Sequence, residues 1–437
     1  MRAKHKASRW ALLAYTVADD TSGGNDLDAS VKDELQAICS AADLLDLNLA
    51  LQVDFKRTHG VFCASLTERG PARAASAATR TPMPARPRAR GFVDVAVAAH
   101  PLWRTLLSGV SRATPRLQMG KVDGNAARAS VLDRFLSFGH RVCRGHRLVL
   151  FFYGHAAGPM GLFFDKDPNA SASETTTIRL GALAQSLSTI APSAPVVVFR
   201  DCFMNTLETA YELRESNEFM VASQSEMPIA GIWPWLPLMT TMLPSASARE
   251  VGRAIAIQLG GFMDAAANRG SLGAAPVSLI DLAASHRVAA PLKALTTALL
   301  AARRSAAQRE ACMVAIEGAR TGYSDDPAQP GDPALVDVLT MCDRLGALGF
   351  GPITKATDAL ARVVREHLVG WHHSQTKRFT GVSLYYKPIN PRDLDRSIIQ
   401  AWMDERHYRK LGLVAATNWA DVALHPLGSQ GRGRLSV

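Results

Sequence analysis

Predominantly apolar runs that alternate with amphipathic stretches constrain this chain more than any other feature. RWALLAYTV (9–17), LNLALQVDF (47–55), LVLFFY (148–153), PVVVF (195–199) and FMVAS (219–223) are five such runs. Each has the length of a strand, and all but LNLALQVDF, where Asn48, Gln52 and Asp54 fall on alternate positions, lack the strict polar–apolar alternation of a half-exposed one. A strand apolar on both faces has to be covered on both, which is the condition of a parallel sheet. Stretches with helical spacing fall between them: 29–45, ARASVLDRFLSFGHRVC (127–143), LGALAQSLSTI (180–190) and NTLETAYELRE (205–215). VFCASLTE (61–68) is placed to pair with 47–55 as a hairpin. Strand–helix–strand repetition of this kind predicts an α/β fold with helices on both faces. Right-handed crossovers then gather the strand C-termini on one edge, where such sheets bind ligands.

Two of the runs end on reactive side chains. LVLFFYGHAAG (148–158) leads to His155 and PVVVFRDCF (195–203) to Cys202. A free thiol, with a pKa near ~8.5, is only a few per cent thiolate at neutral pH. An adjacent imidazole can take its proton during attack and later hand it to a leaving amine. Cys202 is expected at or just before the N-terminus of the 205–215 helix, where the backbone dipole favours an anion. Its own amide and that of Ala156 are placed to line an oxyanion hole, whose donors typically contribute ~3–4 kcal/mol. The small residues Gly154, Ala156, Ala157 and Gly158 are read as leaving room for a substrate backbone. Taken singly, a cysteine is more often a small core residue and a histidine after a strand a polar cap. Together, on neighbouring strand ends, they predict a cysteine peptidase acting on protein or peptide substrates.

The rest of the composition narrows the alternatives. The 437 residues carry a formal net charge of +10, but much of it falls in GPARAASAATRTPMPARPRARG (70–91). That stretch has no apolar period and reads as a disordered basic insertion. No groove-reading motif accompanies the charge, so nucleic acid is not indicated as a partner. Cys39, Cys63, Cys143, Cys202, Cys312 and Cys342 are scattered, with no Cys-x-x-Cys pair. This argues against zinc and redox motifs and for a reducing, cytoplasmic setting. The first 18 residues have the look of a secretory leader, yet 10–17 reads better as a buried strand. No run approaches the ~18–20 apolar residues needed to span a bilayer. DKDPNASASE (165–174) spaces oxygens like a calcium loop but lacks the acid at the twelfth position, and reads as a solvated loop. No metal or other cofactor is required for the predicted chemistry. His372 and His373 are adjacent, which reads as a polar loop. Beyond residue 241 the chain is mainly helical (247–267, 292–320, 335–348), with short strand candidates at 276–280 and 381–387.

The block DCFMNTLETAYELRESNEFMVASQSEMPIAGIWPW (201–235) resembles the nucleophile segment of clostripain-type cysteine peptidases of the caspase-like clan. Weaker matches run in order along the chain: RWALLAYTVADD, LALQVDF, VLDRFLSFG, LVLFFYGHAAGPMGLFFD, PVSLIDL, GVSLYYKP and the Tyr408 to Trp419 stretch. The step of 47 residues from His155 to Cys202 is also similar to the caspase-type separation. The resemblance implies a caspase-like three-layer sandwich with a mostly parallel sheet. Residues 1–240 would form its peptidase core and 241–437 a helical region completing the sheet. It implies His155 as base and Cys202 as nucleophile, and places Arg200, Asp201, Ser223, Ser225, Glu226 and Ala230 around the substrate. It also makes Lys166 and Arg179 candidate self-processing points.

Relatives that cleave after Arg or Lys resemble one another in an Asp two residues before the nucleophile and an acid before a Gly-x-Trp turn. Arg200 and Ala230 stand there in this chain. By strand alternation Arg200 faces as Cys202 does and Asp201 away, so preference for Arg or Lys is not expected and acidic or neutral residues are. A one-residue irregularity in the strand would instead let Asp201 take over. A catalytically silent scaffold and a transpeptidase are the alternative functions.

Overall fold

The computed structural model describes residues 9–18, 27–54, 61–66, 92–94, 117–122, 125–166, 175–191, 193–228, 231–268, 275–322 and 331–427. Ten strands form one sheet in the order β13-β11-β10-β9-β6-β1-β2-β3-β5-β4. The strands are β1 (Trp10–Val17), β2 (Asn48–Asp54), β3 (Val61–Leu66), β4 (Phe92–Asp94), β5 (Leu117–Val122), β6 (Arg147–Tyr153), β9 (Val196–Phe199), β10 (Phe219–Ala222), β11 (Val277–Asp281) and β13 (Val369–His373). The five central strands, β10, β9, β6, β1 and β2, run parallel. They coincide with the five apolar runs. Both flanks are antiparallel. β1 lies between β6 and β2, so the apolar run near the N-terminus is an internal strand of the sheet.

Side chains alternate along each central strand into two separate cores. Leu150, Phe152, Val197 and Phe199 enter one; Val149, Phe151, Val196 and Val198 enter the other. Helix α1 (Asp28–Leu45) covers the second core, presenting Val31, Leu35 and Ile38. The helices Ala129–Val142, Leu180–Ser188 and Leu207–Leu213 cover the first. The result is a caspase-like three-layer sandwich with a helical C-terminal region.

Several local expectations change. The 292–320 stretch is two helices, Ala289–Ala302 and Ala306–Glu317, because the Ser305 hydroxyl accepts from the Gln308 amide and caps a new helix. The segment 335–348 begins as strand β12 (Leu335–Asp337), paired antiparallel with β14 (Ser383–Tyr385), before Asp337 caps the helix that follows. His372 and His373 belong to edge strand β13 rather than to a loop. His372 contacts the Ser278 hydroxyl at 3.0 Å and the Phe379 carbonyl at 2.8 Å, and His373 contacts Asp264. The expected loop at 165–174 begins inside strand β7 (Leu162–Lys166) and is followed directly by β8 (Thr175–Ile178), which pairs with β7 antiparallel. Residues 167–174, and with them most of the calcium-loop candidate, lie outside the described residues, as does the basic insertion 70–91. Among the described residues no group of His, Cys, Asp and Glu is arranged to hold a metal ion. No helix there is long and apolar enough to cross a membrane.

Candidate active site

Register starts the two loops that carry His155 and Cys202 from the same level of the sheet. β6 and β9 are parallel neighbours, and Phe152 pairs with Phe199. His155 lies three residues beyond Phe152, and Cys202 three beyond Phe199. The Arg200 amide donates to the Phe152 carbonyl at 2.8 Å, carrying the pairing one residue past the end of β9. The two loops then touch. Gly158 has φ +53°, and a Cβ there would lie 2.9 Å from the Phe203 carbonyl oxygen. Phe203 itself sits in the left-handed region at φ 59°, in the turn that carries Cys202. Gly154 is equally constrained, since a Cβ would meet the Phe163 ring at 2.7 Å. The small residues of this loop therefore admit protein neighbours rather than leaving space for a substrate backbone. Ala156 and Ala157 are buried with them.

The loop after His155 turns back on itself. The Phe163 amide donates to the His155 carbonyl at 2.7 Å, and the Ala157 amide to the Gly161 carbonyl at 3.1 Å. These bonds flank the bridge between Ala156 and Leu162. Backbone alternation turns the Ala156 N–H to the opposite side of that bridge.

Cys202 stands four residues before the helix cap, not at it. The following helix begins at Leu207, and Thr206 caps it by accepting from the Thr209 amide. Asn205 and Thr206 are held out of the helix because the Asn205 amide donates to Ser223 and Thr206 bridges to Ser383. The expected dipole effect on the thiol is thereby removed. The Met227 amide instead donates to the Cys202 sulfur at 3.3 Å. Burial pushes the thiol up to about 12; the Met227 amide opposes this, while Glu226 and Asp201 reinforce it. Cys202 is therefore a protonated thiol at neutral pH and needs a base at the moment of attack.

Arg200 does not stand in the position expected for a substrate-facing guanidinium. Its parity sends it into the second core, where its side chain is fully buried and its Nη1 lies 2.5 Å from Glu34 Oε2 on α1. Nη2 donates to the Gly231 carbonyl at 2.6 Å. The guanidinium also lies over the rings of Tyr153 and Trp233, 4.4 and 5.2 Å from their centroids. Glu34 completes the assembly by accepting from the Trp233 amide at 3.2 Å and the Trp235 indole at 2.7 Å.

Asp201 is also fully buried. Burial raises its pKa well above the usual carboxylate range, opposed by the nearby Gly154 amide, which falls outside hydrogen-bonding geometry. Ser223 and Ser225 are buried, their hydroxyls 3.3 Å apart, and the Ser225 hydroxyl also donates to the Glu226 carbonyl. Glu226 alone among the described substrate-facing candidates is half-buried; burial and then Asp332 raise its carboxyl. Ala230 lies outside the described residues, and so does Ile229. Of the processing candidates, Lys166 ends β7. Arg179 reaches Asp404 at 3.6 Å and the Met160 carbonyl at 3.4 Å.

Sequence reasoning missed two groups. Glu34 occupies the apolar stripe of its helix, with Val31, Leu35 and Ile38 at i−3, i+1 and i+4. An acid on a buried face is a legible signal of a buried partner. Gln224, one residue from Ser223, gives no comparable signal. It donates to Asp337 at 3.0 Å and to the Ser383 hydroxyl at 2.9 Å, and accepts from the Gly381 amide at 2.7 Å.

His155 and Cys202 follow the carboxyl ends of neighbouring parallel strands of this sheet, an arrangement that fits a cysteine peptidase. Residues 123–330, a little under half of the chain and containing both, match the Clostripain family model, which supports a cysteine peptidase. Three solved structures share the fold. A secreted C11 cysteine protease from Bacteroides thetaiotaomicron, in complex with an irreversible peptide inhibitor, superposes with TM-score 0.58 at 14% identity, over 95% of this chain and 100% of that one. An inactive zymogen C11 protease from Parabacteroides distasonis gives 0.57 at 14%, over 94% and 98%. A further structure of a secreted C11 cysteine protease from B. thetaiotaomicron gives 0.57 at 12%, over 94% and 99%. No curated protein matches the sequence.

Proposed function

We propose that this protein is an endopeptidase that cleaves protein or peptide chains through a thioester on Cys202, with His155 as the base. The observation that carries the reading is the shared level of the two residues, three beyond the paired Phe152 and Phe199. His155 takes the thiol proton as the sulfur attacks the scissile carbonyl carbon. The same proton passes to the departing amine as the C–N bond breaks, and water then hydrolyses the thioester. The Ala156 and Cys202 amides are assigned to the oxyanion. The Met227 amide, bonded to the sulfur, helps offset the charge that develops there. The thioester chemistry itself calls on no metal or cofactor. The six free thiols support a reducing compartment as its site of action.

A silent scaffold has one observation in its favour, the thiol pushed up to about 12. An electrophilic peptide probe separates the readings. Labelling that is lost in Cys202→Ala, with peptide hydrolysis falling on the order of 10⁴-fold or more in that variant, is the expected result. Labelling and hydrolysis that survive the substitution would overturn the assignment. Adding a peptide amine and weighing the products tests transpeptidation, since the thioester would then yield a new amide.

A further inference from the structure

The Arg200–Glu34 pair joins three segments around the nucleophile. Arg200 lies two residues before Cys202, and Glu34 comes from the middle of α1. Together they hold both sides of one turn. Arg200 binds the Gly231 carbonyl, and Glu34 binds the Trp233 amide. Gly231, at φ 90°, lies four residues after Met227, whose amide contacts the Cys202 sulfur. The pair thus anchors the far end of the segment that touches the sulfur.

Its electrostatic consequence is as direct. A guanidinium two residues from the nucleophile would attract carboxylates if it faced a substrate. Here its nearest carboxylate is Glu34, at 2.5 Å, and both side chains are fully buried. The positive charge is matched inside the protein.

We propose that Glu34 is a positioning residue for the Cys202 site, and that its ion pair keeps Arg200 from selecting acidic substrates. The proposal rests on the peptidase reading above. It makes neutral residues, rather than acidic ones, the preferred group before the scissile bond.

The test is a panel of fluorogenic peptides that differ only in that residue, neutral or acidic, read with the full-length wild type, Glu34→Gln and the double variant Glu34→Leu/Arg200→Met. Wild type is expected to cleave the neutral members at least about tenfold better in kcat/KM. Glu34→Gln leaves the guanidinium charge unmatched, and the acidic-to-neutral ratio should rise about tenfold or more. The double variant replaces the pair by apolar groups, and its ratio should stay near that of wild type. A purely structural role for Glu34 lowers both substrates together, and an unchanged ratio in a folded Glu34→Gln overturns the proposal. If that variant does not fold, wild type and the double variant still decide: acidic peptides cleaved by wild type as fast as neutral ones overturn it. Cleavage with an unaltered ratio leaves the peptidase reading standing. No cleavage of any peptide by wild type, with no probe labelling at Cys202, removes both.

Discussion

The segment 223–233 beside Cys202 is anchored at its two ends in contrasting ways. Its start is tied to the C-terminal half by a hydrogen-bonded network, in which Gln224 meets Asp337, Ser383 and Gly381. Asp337 in turn accepts from the Thr380 amide and hydroxyl. Its end is tied to the N-terminal half by the Arg200–Glu34 ion pair. Both anchors are buried, yet they fail differently. Removing Gln224 from the network leaves Asp337 its bonds from Thr340 and Thr380, whereas removing one member of a buried ion pair leaves a charge without its countercharge. The ionic anchor is thus the more brittle, and the networked one the more tolerant.

The largest expected effect is at the ionic end. Glu34→Ala leaves the Arg200 charge buried and should lower unfolding stability by about 3–5 kcal/mol, read from urea midpoints. A cost below that of Gln224→Ala would break the contrast.

A second measurement separates the anchors by pH. Glu208, on the helix after Cys202, is fully buried and binds the Tyr385 amide and the Tyr408 hydroxyl of the C-terminal half. Burial raises its carboxyl from 4.5 to about 7, more than its hydrogen bonds lower it. The folded state therefore holds this proton more tightly than the unfolded chain. The stability it contributes is fully present below pH ~4.5 and is lost as pH rises through about 7, a change of up to about 3 kcal/mol. Glu208→Gln should flatten that part of the profile between pH 5 and pH 8. An unchanged slope would show that Glu208 does not carry it.

Gln224→Ala, at the networked end, should cost about 1–3 kcal/mol. It should slow peptide cleavage with little change in the acidic-to-neutral ratio, because Asp337 keeps its bonds from Thr340 and Thr380 and the Arg200–Glu34 pair is untouched. A shift in that ratio would count against assigning charge selection to the other anchor.

The smallest effect concerns the sulfur itself. Glu226 is among the groups that raise the Cys202 thiol, after burial. Glu226→Gln should therefore increase the thiolate fraction and speed iodoacetamide alkylation at pH 8 by roughly 2–5-fold. An unchanged or slower reaction would mean that the carboxylate does not act on the thiol.

Much of the site could be read along the chain because strands impose a local rule. RWALLAYTV, LVLFFY and PVVVF are apolar on both faces, so they had to be internal strands, and their ends had to carry His155 and Cys202 to one edge. The alternation that sent Arg200 to the side of Val196 and Val198 was equally local. The helix boundary was not: Asn205 and Thr206 leave the helix because Ser223 and Ser383, far along the chain, bind them. Nor was edge strand β13, whose VGWHH is neither long nor apolar and is defined by its pairing with β11.

By itself, then, the order of residues determined which strands are buried, which strand ends lead to His155 and Cys202, and which neighbours share a face, since each follows from steric alternation within a few residues. Only the tertiary structure decided what each charge near Cys202 meets. Whether Arg200 confronts a substrate or a carboxylate of its own chain depends on Glu34, 166 positions away. Electrostatic energy is set by separation in space and by burial, and neither is encoded in the local pattern around Arg200.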